Sequence, residues 1–339
     1  MLATILHAPG DIRFEEHDDP AISAPTDAIV RVIASCVCGS DLWPYRGVVA
    51  VPRPRVIGHE CLGEIVEVGA AVTDFHVGDR VIVPFDHCDG ICANCLAGVQ
   101  AACVHLGFTE TGQSEYARVN YADATLVRIS DGLPDGLTPS ILALTDVMPT
   151  GWHAAVSAGV TPGSTAVVVG DGAVGLCGII SARVLGAQRI VALSRHPQRQ
   201  ALARAFGATD VIAERGSEAV EAVRELTGGV GADATLECVG TDEAMSTAFE
   251  LARPGSTVGF VGVPNAVGAF PIRTAFYRNV GLAGGMAPVR KYLPDLLPLV
   301  MDGAIEPGRV FDLVLPLAQV ADAYRAMDER LATKVMLLP

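Results

Sequence analysis

Hydrophobic positions along the chain fall into two textures. Up to about residue 139 the apolar residues come in short runs separated by turn residues, as in Ala28 to Ala34, Gly63 to Val68 and Arg80 to Val83. Their alternation is imperfect, but runs of this length bounded by turn residues predict strands, and no long amphipathic helix is expected before Pro139. From Thr165 the texture changes. Thr165-Ala166-Val167-Val168-Val169 is a continuous apolar run, the mark of a parallel strand covered on both faces. A helical stretch follows from Ala173 and stops at Gly186, a suitable C-terminal cap. Then come strand Arg189 to Leu193, helix Pro197 to Phe206, strand Asp210 to Ile212 and helix Glu218 to Leu226. Strand Ala234 to Val239, helix Glu243 to Ala252 and strand Thr257 to Val263 complete the series. Strands and helices alternating at this spacing predict an α/β fold with a doubly wound parallel sheet. After about Gly285 the alternation ends. The remaining ~50 residues are too few for a domain of usual size, so they are expected to fold back onto the first part of the chain.

Composition narrows the partners. A net charge of -14 argues against a nucleic-acid or anionic-membrane surface, because phosphate binding needs clustered Lys and Arg. The most apolar long stretch, Thr165 to Ala187, is broken by Gly170-Asp171-Gly172, whereas a membrane span needs about 20 unbroken apolar residues. It is therefore expected to be a buried strand and helix. The first ten residues lack a basic start followed by a long apolar core, so no secretory signal is expected, and the location is expected to be cytoplasmic. Of nine cysteines, four crowd between Cys88 and Cys103, and in that setting metal ligation outweighs disulfide bonding.

Gly170-Asp171-Gly172-Ala173-Val174-Gly175 is a G-x-G-x-x-G that follows a strand and opens a helix. The first glycine permits the tight turn, the second lets a pyrophosphate approach the backbone, and the third lets helix and strand pack closely. The amides of Ala173 and Val174, with the positive end of the helix dipole, then hold phosphate. Alone this motif is weak in a chain with 36 glycines; its place inside a run of strand-helix units makes it a dinucleotide site.

Cys88, Cys92, Cys95 and Cys103 share one loop rich in small residues. Thiolates this close suit a closed tetrahedral zinc site, with His87, Asp89 or His105 as substitute ligands, or else the loop is reduced and metal-free. A second set is dispersed: Cys38 in Cys38-Gly39-Ser40-Asp41, His59 and Glu60 after Gly58, and Asp146 in Thr145-Asp146-Val147-Met148-Pro149-Thr150-Gly151. Spacing cannot join these residues. Singly, Cys38 suits a small core residue, His59 a satisfied buried histidine and Asp146 a helix cap.

Resemblance joins them. Gly58-His59-Glu60-Cys61-Leu62-Gly63-Glu64-Ile65-Val66-Glu67-Val68-Gly69, continuing to Phe75-His76-Val77-Gly78-Asp79-Arg80-Val81, resembles the signature of the zinc-dependent medium-chain alcohol dehydrogenases. The cysteine loop, the Gly-rich turn and the segment from Asp146 to Gly151 follow in that family's order, so the likeness covers essentially the whole chain. It implies a GroES-like catalytic β-barrel over 1–149, a Rossmann domain over 150–285 and a return to the catalytic domain over 286–339. It also implies two zinc ions per chain. Cys38, His59 and Asp146 would hold the catalytic zinc, with Glu60 exchanging with substrate or standing behind the ligands. Cys88, Cys92, Cys95 and Cys103 would hold the structural zinc. Ser40 matches the hydroxyl that relays the substrate proton. Two departures stand out. Three residues, not two, separate Cys88 from Cys92, which makes Cys88 the weakest of the structural ligands, and Trp43 stands where many members have a proton-passing histidine. The relay would then run from Ser40 to water or to the cofactor ribose.

The resemblance implies hydride transfer between a primary or secondary alcohol and a nicotinamide cofactor, by a homodimer or homotetramer acting on a small-molecule alcohol or carbonyl compound. A polyol, amino-alcohol or formaldehyde-type dehydrogenase shares the scaffold, as does a non-catalytic, crystallin-like cofactor binder. In dinucleotide folds an acidic residue about 20 residues after the glycine motif holds the ribose 2′-hydroxyl of NAD. Here Ser194-Arg195-His196 stands at that strand end with no acid, which predicts NADP(H) over NAD(H). With Ser194 donating to a 2′-phosphate and Arg195 pairing with it, the preference should be roughly 10- to 100-fold.

Overall fold

The computed structural model describes residues 1–129, 132–134, 136–264 and 270–339. The chain divides into two compact units, one made of Met1–Asp146 with Pro288–Pro339, the other of Val147–Ala287. Among the described residues no helix is long and apolar enough to cross a membrane.

The first unit is built on a seven-stranded sheet whose centre is Ala28–Cys36, rich in Val and Ile and buried along most of its length. Cys61–Val68 pairs with it antiparallel on one side and Lys334–Leu338 antiparallel on the other. Val30, Val32, Ile65, Val81 and Val83 form the core beneath, and each fully buried side chain of this kind contributes about 1.5–3 kcal/mol. Register decides where the chemistry collects. Ser35 faces Cys61 and Cys36 faces Met336, so the residues just beyond these pairs, Cys38, His59, Glu60 and Lys334, gather at one end of the sheet. The strands Lys334–Leu338 and Phe311–Pro316 run parallel to each other and come from the segment that returns after the second unit.

The second unit holds six parallel strands: β1 (Thr165–Val169), β2 (Arg189–Leu193), β3 (Asp210–Ile212), β4 (Ala232–Glu237), β5 (Ala252–Phe260) and β6 (Gly281–Gly284). Their order is β3-β2-β1-β4-β5-β6. This is the Rossmann arrangement, in which the strand order reverses beside β1 and opens a crevice at the carboxyl ends. Val167, Val191, Ile212, Phe249 and Val258 fill its core. Helix α1 (Ala173–Val184) leads from β1, and helix α2 (Pro197–Phe206) follows β2 and ends on Gly207 in the left-handed region, as its sequence suggests.

Pattern and structure part in several places, and the strand expected over Thr257 to Val263 runs instead over Ala252–Phe260. β4 ends at Glu237 rather than Val239, because the Glu237 carboxylate accepts the amides of Val239 and Gly240, both at 2.8 Å, and turns the chain. β6 carries glycine at both ends, so its four residues give no apolar run to detect. The helix Val289–Met301 contains Pro294 and Pro298, which ordinarily mark a break. Its buried residues Val289, Tyr292, Leu293, Leu296 and Val300 keep helical spacing, and their burial outweighs the two lost hydrogen bonds.

Candidate active site and metal centres

Cys38 follows the central strand and stands at the start of the short turn Gly39–Asp41, where Asp41 Oδ2 accepts its amide at 3.0 Å. His59 and Glu60 follow Gly58, whose φ of +105° and lack of a side chain are both needed: a Cβ there would lie 2.4 Å from Cγ of Gln113. Asp146 ends the first of the two segments that make up the first unit. One ligand atom from each of Cys38, His59, Glu60 and Asp146 lies within 4.8 Å of the others. Cys38 Sγ is 3.5 Å and His59 Nε2 is 3.6 Å from Asp146 Oδ2. Ser40 sits half-buried in the adjoining turn, and Trp43 half-buried in the helix Leu42–Tyr45.

Burial pushes the Cys38 thiol up, and the charges of Asp146 and Glu60 push it further. Burial raises the Glu60 carboxyl as well, against the opposing pull of Lys334. At His59 burial works downward, but the Asp41 charge and hydrogen bonds to Asp146 and Asp41 outweigh it and hold the imidazole well above its usual value. Acids that resist ionising because they face one another are the acids a divalent cation would draw into the ionised form. A thiol, an imidazole and carboxylates in this compass suit zinc.

Behind the cluster is a layer of orienting contacts that the sequence analysis did not foresee. His59 Nδ1 lies 3.2 Å from Asp41 Oδ1, which leaves Nε2 for a metal. The Gln113 amide donates to Asp41 Oδ2 at 3.2 Å and to the Cys36 carbonyl at 3.0 Å, and it accepts the buried Tyr324 hydroxyl at 3.0 Å. Lys334, 1 % exposed, places Nζ 2.7 Å from Glu60 Oε1 and donates to the Val37 carbonyl at 3.2 Å. Burial works against the Lys334 charge, but Cys36 and Glu60 more than restore it and leave the amine well above its ordinary value. These residues are scattered and carry no motif, so only the paired strands reveal them.

In the cysteine loop the close group is Asp89, Cys92, Cys95 and Cys103, again with ligand atoms within 4.8 Å. Cys88 does not belong to it. Its buried side chain turns to the Ala124 carbonyl, 3.7 Å from Sγ, and the Asp89 carboxylate takes its place. Cys88 packs in one buried cluster with Cys95 and Cys103, but its sulfur is not part of the close ligand group. Asp89 Oδ1 accepts the amides of Ile91 and Cys92 at 3.0 Å, and Oδ2 lies 2.8 Å from His105 Nδ1. The Cys92 amide and His105 hold the Asp89 carboxyl far below the usual range. Amides of Val104 and Cys95 lower the Cys92 thiol, while burial raises Cys95. Amides of Asp89 and His105 donate to Cys103 Sγ at 3.3 Å. The loop backbone thus turns amide donors toward the Cys103 sulfur and the Asp89 carboxylate.

In the second unit Gly170 has φ +118°, and a Cβ on Gly175 would lie 2.0 Å from the Gly170 carbonyl oxygen. Gly172 caps α1 with no side chain, and a Cβ there would meet nothing within 4 Å. Open space over the Ala173 and Val174 amides is what a pyrophosphate requires, so the turn fits a dinucleotide. Beyond β2, Ser194 is buried, Arg195 is exposed and His196 begins α2 half-buried. Asp171, inside the glycine motif, accepts the Ser194 hydroxyl at 2.9 Å and lies 3.3 Å from Arg199 Nη1.

Comparison with known proteins agrees with both units. The family model for the alcohol dehydrogenase GroES-like domain matches residues 24–131, and that for zinc-binding dehydrogenase matches 173–302. A Mycobacterium tuberculosis protein named "Probable zinc-binding alcohol dehydrogenase" is 36% identical, over 96% of this chain and 84% of its own. The NADP-dependent isopropanol dehydrogenase of Clostridium beijerinckii is 36% identical over 81% of each chain. The structure of the alcohol dehydrogenase TADH from Thermus sp. ATN1 superposes with a TM-score of 0.90 at 32% identity, covering 100% of this chain and 99% of that one. The chain belongs to the zinc-dependent medium-chain alcohol dehydrogenase family, as an oxidoreductase with a GroES-like domain and a Rossmann domain.

Proposed function

We propose that the protein interconverts primary or secondary alcohols and the corresponding carbonyl compounds with NADP(H), holding two zinc ions per chain. The observation that carries this is the gathering of Cys38, His59, Glu60 and Asp146 within 4.8 Å. Bound there, zinc supplies Lewis acidity toward the substrate oxygen, and the nicotinamide supplies or accepts the hydride. Cys38, His59 and Asp146 hold the metal, and Asp41 fixes the imidazole that faces it. Lys334 restrains Glu60, so this carboxylate is a fourth ligand only when it gives up that pair. Asp89, Cys92, Cys95 and Cys103 hold the second zinc. The Gly170–Gly175 turn binds the pyrophosphate, and Ser194, Arg195 and His196 face the adenosine ribose. Homodimers or homotetramers are the assembly expected of the protein; among the described residues the outer edge of β6 is unpaired, and Ile272, Phe276 and Tyr277 of the helix before it are exposed.

Ser40 takes the alcohol proton and passes it to water or the ribose, since Trp43 offers no basic group. Ser40→Ala should therefore lower kcat about 10²–10⁴-fold, as for a positioned proton acceptor, with a smaller effect on KM. The loss should shrink as pH rises and solvent takes over the proton. An unchanged pH profile removes Ser40 from the relay.

NADP(H) preference is supported by the absence of an acid at the end of β2 and by the NADP dependence of the clostridial relative. Because Asp171 occupies Ser194 and Arg199, the margin should lie near the lower end, about tenfold in kcat/KM. Measuring both cofactors on the unmutated enzyme tests it. NAD(H) at or above NADP(H) refutes it.

A further inference from the structure

The end of β2 has lost its acid, yet a carboxylate still stands there. It comes from the glycine turn. Asp171 spans the two polar groups that the ribose end of the site offers: the Ser194 hydroxyl at 2.9 Å and the Arg199 guanidinium at 3.3 Å. The side chains of Asp171 and Arg199 are only 15% and 14% exposed, and Ser194 is 3% exposed, so water screens this triad weakly. Ser194 is also held from behind, its amide on the Ile212 carbonyl at 2.9 Å and its own carbonyl on the Gln200 amide at 2.7 Å. These two bonds fix the Ser194 main chain, so the hydroxyl is presented from one place.

We infer that Asp171 sets the discrimination between a ribose 2′-hydroxyl and a 2′-phosphate, a role that rests on the dinucleotide reading of the turn. A 2′-hydroxyl can donate to the Asp171 carboxylate, as it does to the strand-end acid of other dinucleotide folds. A 2′-phosphate must take Ser194 and Arg199 from that carboxylate and then remain beside a like charge. Asp171 therefore opposes the phosphate at the same donors that attract it, and Arg195 is exposed and lies outside the triad.

The test is equilibrium binding to the zinc-loaded protein by titration calorimetry, with adenosine 2′,5′-bisphosphate and 5′-AMP as probes. Asp171→Asn keeps the shape of the side chain and removes its charge. It should tighten the bisphosphate about tenfold, a value between those of a screened surface pair and a buried one, and weaken 5′-AMP about fivefold, because its 2′-hydroxyl exchanges a charged acceptor for a neutral one. Adding Arg199→Ala to that variant should cancel the gain. Unchanged or weaker bisphosphate binding in Asp171→Asn overturns the inference, and so does a gain that survives loss of Arg199. Asp171→Ser is the second variant should the asparagine form fail to fold, with circular dichroism as the check and the same tightening expected. Cofactor preference is a separate outcome. If the unmutated enzyme favours NAD(H) while Asp171→Asn still gains bisphosphate affinity, the NADP(H) preference fails and the role of Asp171 stands.

Discussion

Cys38→Ser and His59→Ala are expected to abolish turnover while leaving a folded protein with one zinc per chain instead of two. A Lewis acid contributes several kcal/mol to the reaction barrier, and each 1.36 kcal/mol is tenfold in rate, so the loss should exceed about 10³-fold. The fold should survive because the cluster is not what holds the unit together. Its stability lies in the sheet and in Val30, Val32, Ile65, Val81 and Val83 beneath it. Metal content by plasma mass spectrometry, measured on the sample used for turnover, decides the matter. Full activity after loss of that zinc would sink the assignment.

The second large effect concerns the loop, and it separates Asp89 from Cys88. Asp89→Ala should lose the other zinc and lower stability by about 3 kcal/mol or more, since structural zinc contributes folding free energy directly. For a unit of this size that is roughly 6–12 °C in Tm. Cys95→Ser and Cys103→Ser should behave likewise. Cys88→Ser should keep both metals and cost no more than about 1 kcal/mol, the ordinary effect of one substitution. Paired metal analysis and thermal melts test this, and zinc loss in Cys88→Ser with retention in Asp89→Ala would reverse the ligand set.

What the sequence made legible was local. The strand, glycine turn and helix around Gly170 lie within a few residues of one another, and their pattern alone predicts a parallel sheet, which the structure has. The order of the strands was not in the pattern, and β6 was missed because Gly281-Leu282-Ala283-Gly284 offers no apolar run. Cys38 and Asp146 are 108 residues apart in the chain, and nothing in either neighbourhood points to the other. Only resemblance joined them. In the loop, counting cysteines put Cys88 in the ligand set and Asp89 among the substitutes, because thiols are conspicuous, whereas the close group holds Asp89 and not Cys88. Asp41, Gln113, Tyr324 and Lys334 were illegible for the same reason: their work is to support other residues, and support leaves no motif. Asp171 was in plain view inside the glycine motif. A partner at Ser194 becomes visible only when β1 and β2 lie side by side.

The pairing of Lys334 with Glu60 also sets an order on how the molecule is made. Synthesis runs from the first residue onward, and domains generally fold as units as they emerge. Val147–Ala287 is one uninterrupted stretch and can finish its sheet as soon as β6 has been added. The earlier unit has to wait. Its sheet lacks Phe311–Pro316 and Lys334–Leu338 until the whole second unit has been translated, and closing that sheet spans the longest loop in the molecule. Until Lys334 arrives, Glu60 lacks the ion pair that holds it at 2.7 Å, and burying a carboxylate without its partner is disfavoured. The residues that would receive the catalytic metal are therefore among the first translated and the last assembled. Metal capture is expected to be a late event on the folding path, after the nucleotide-binding half is already in place.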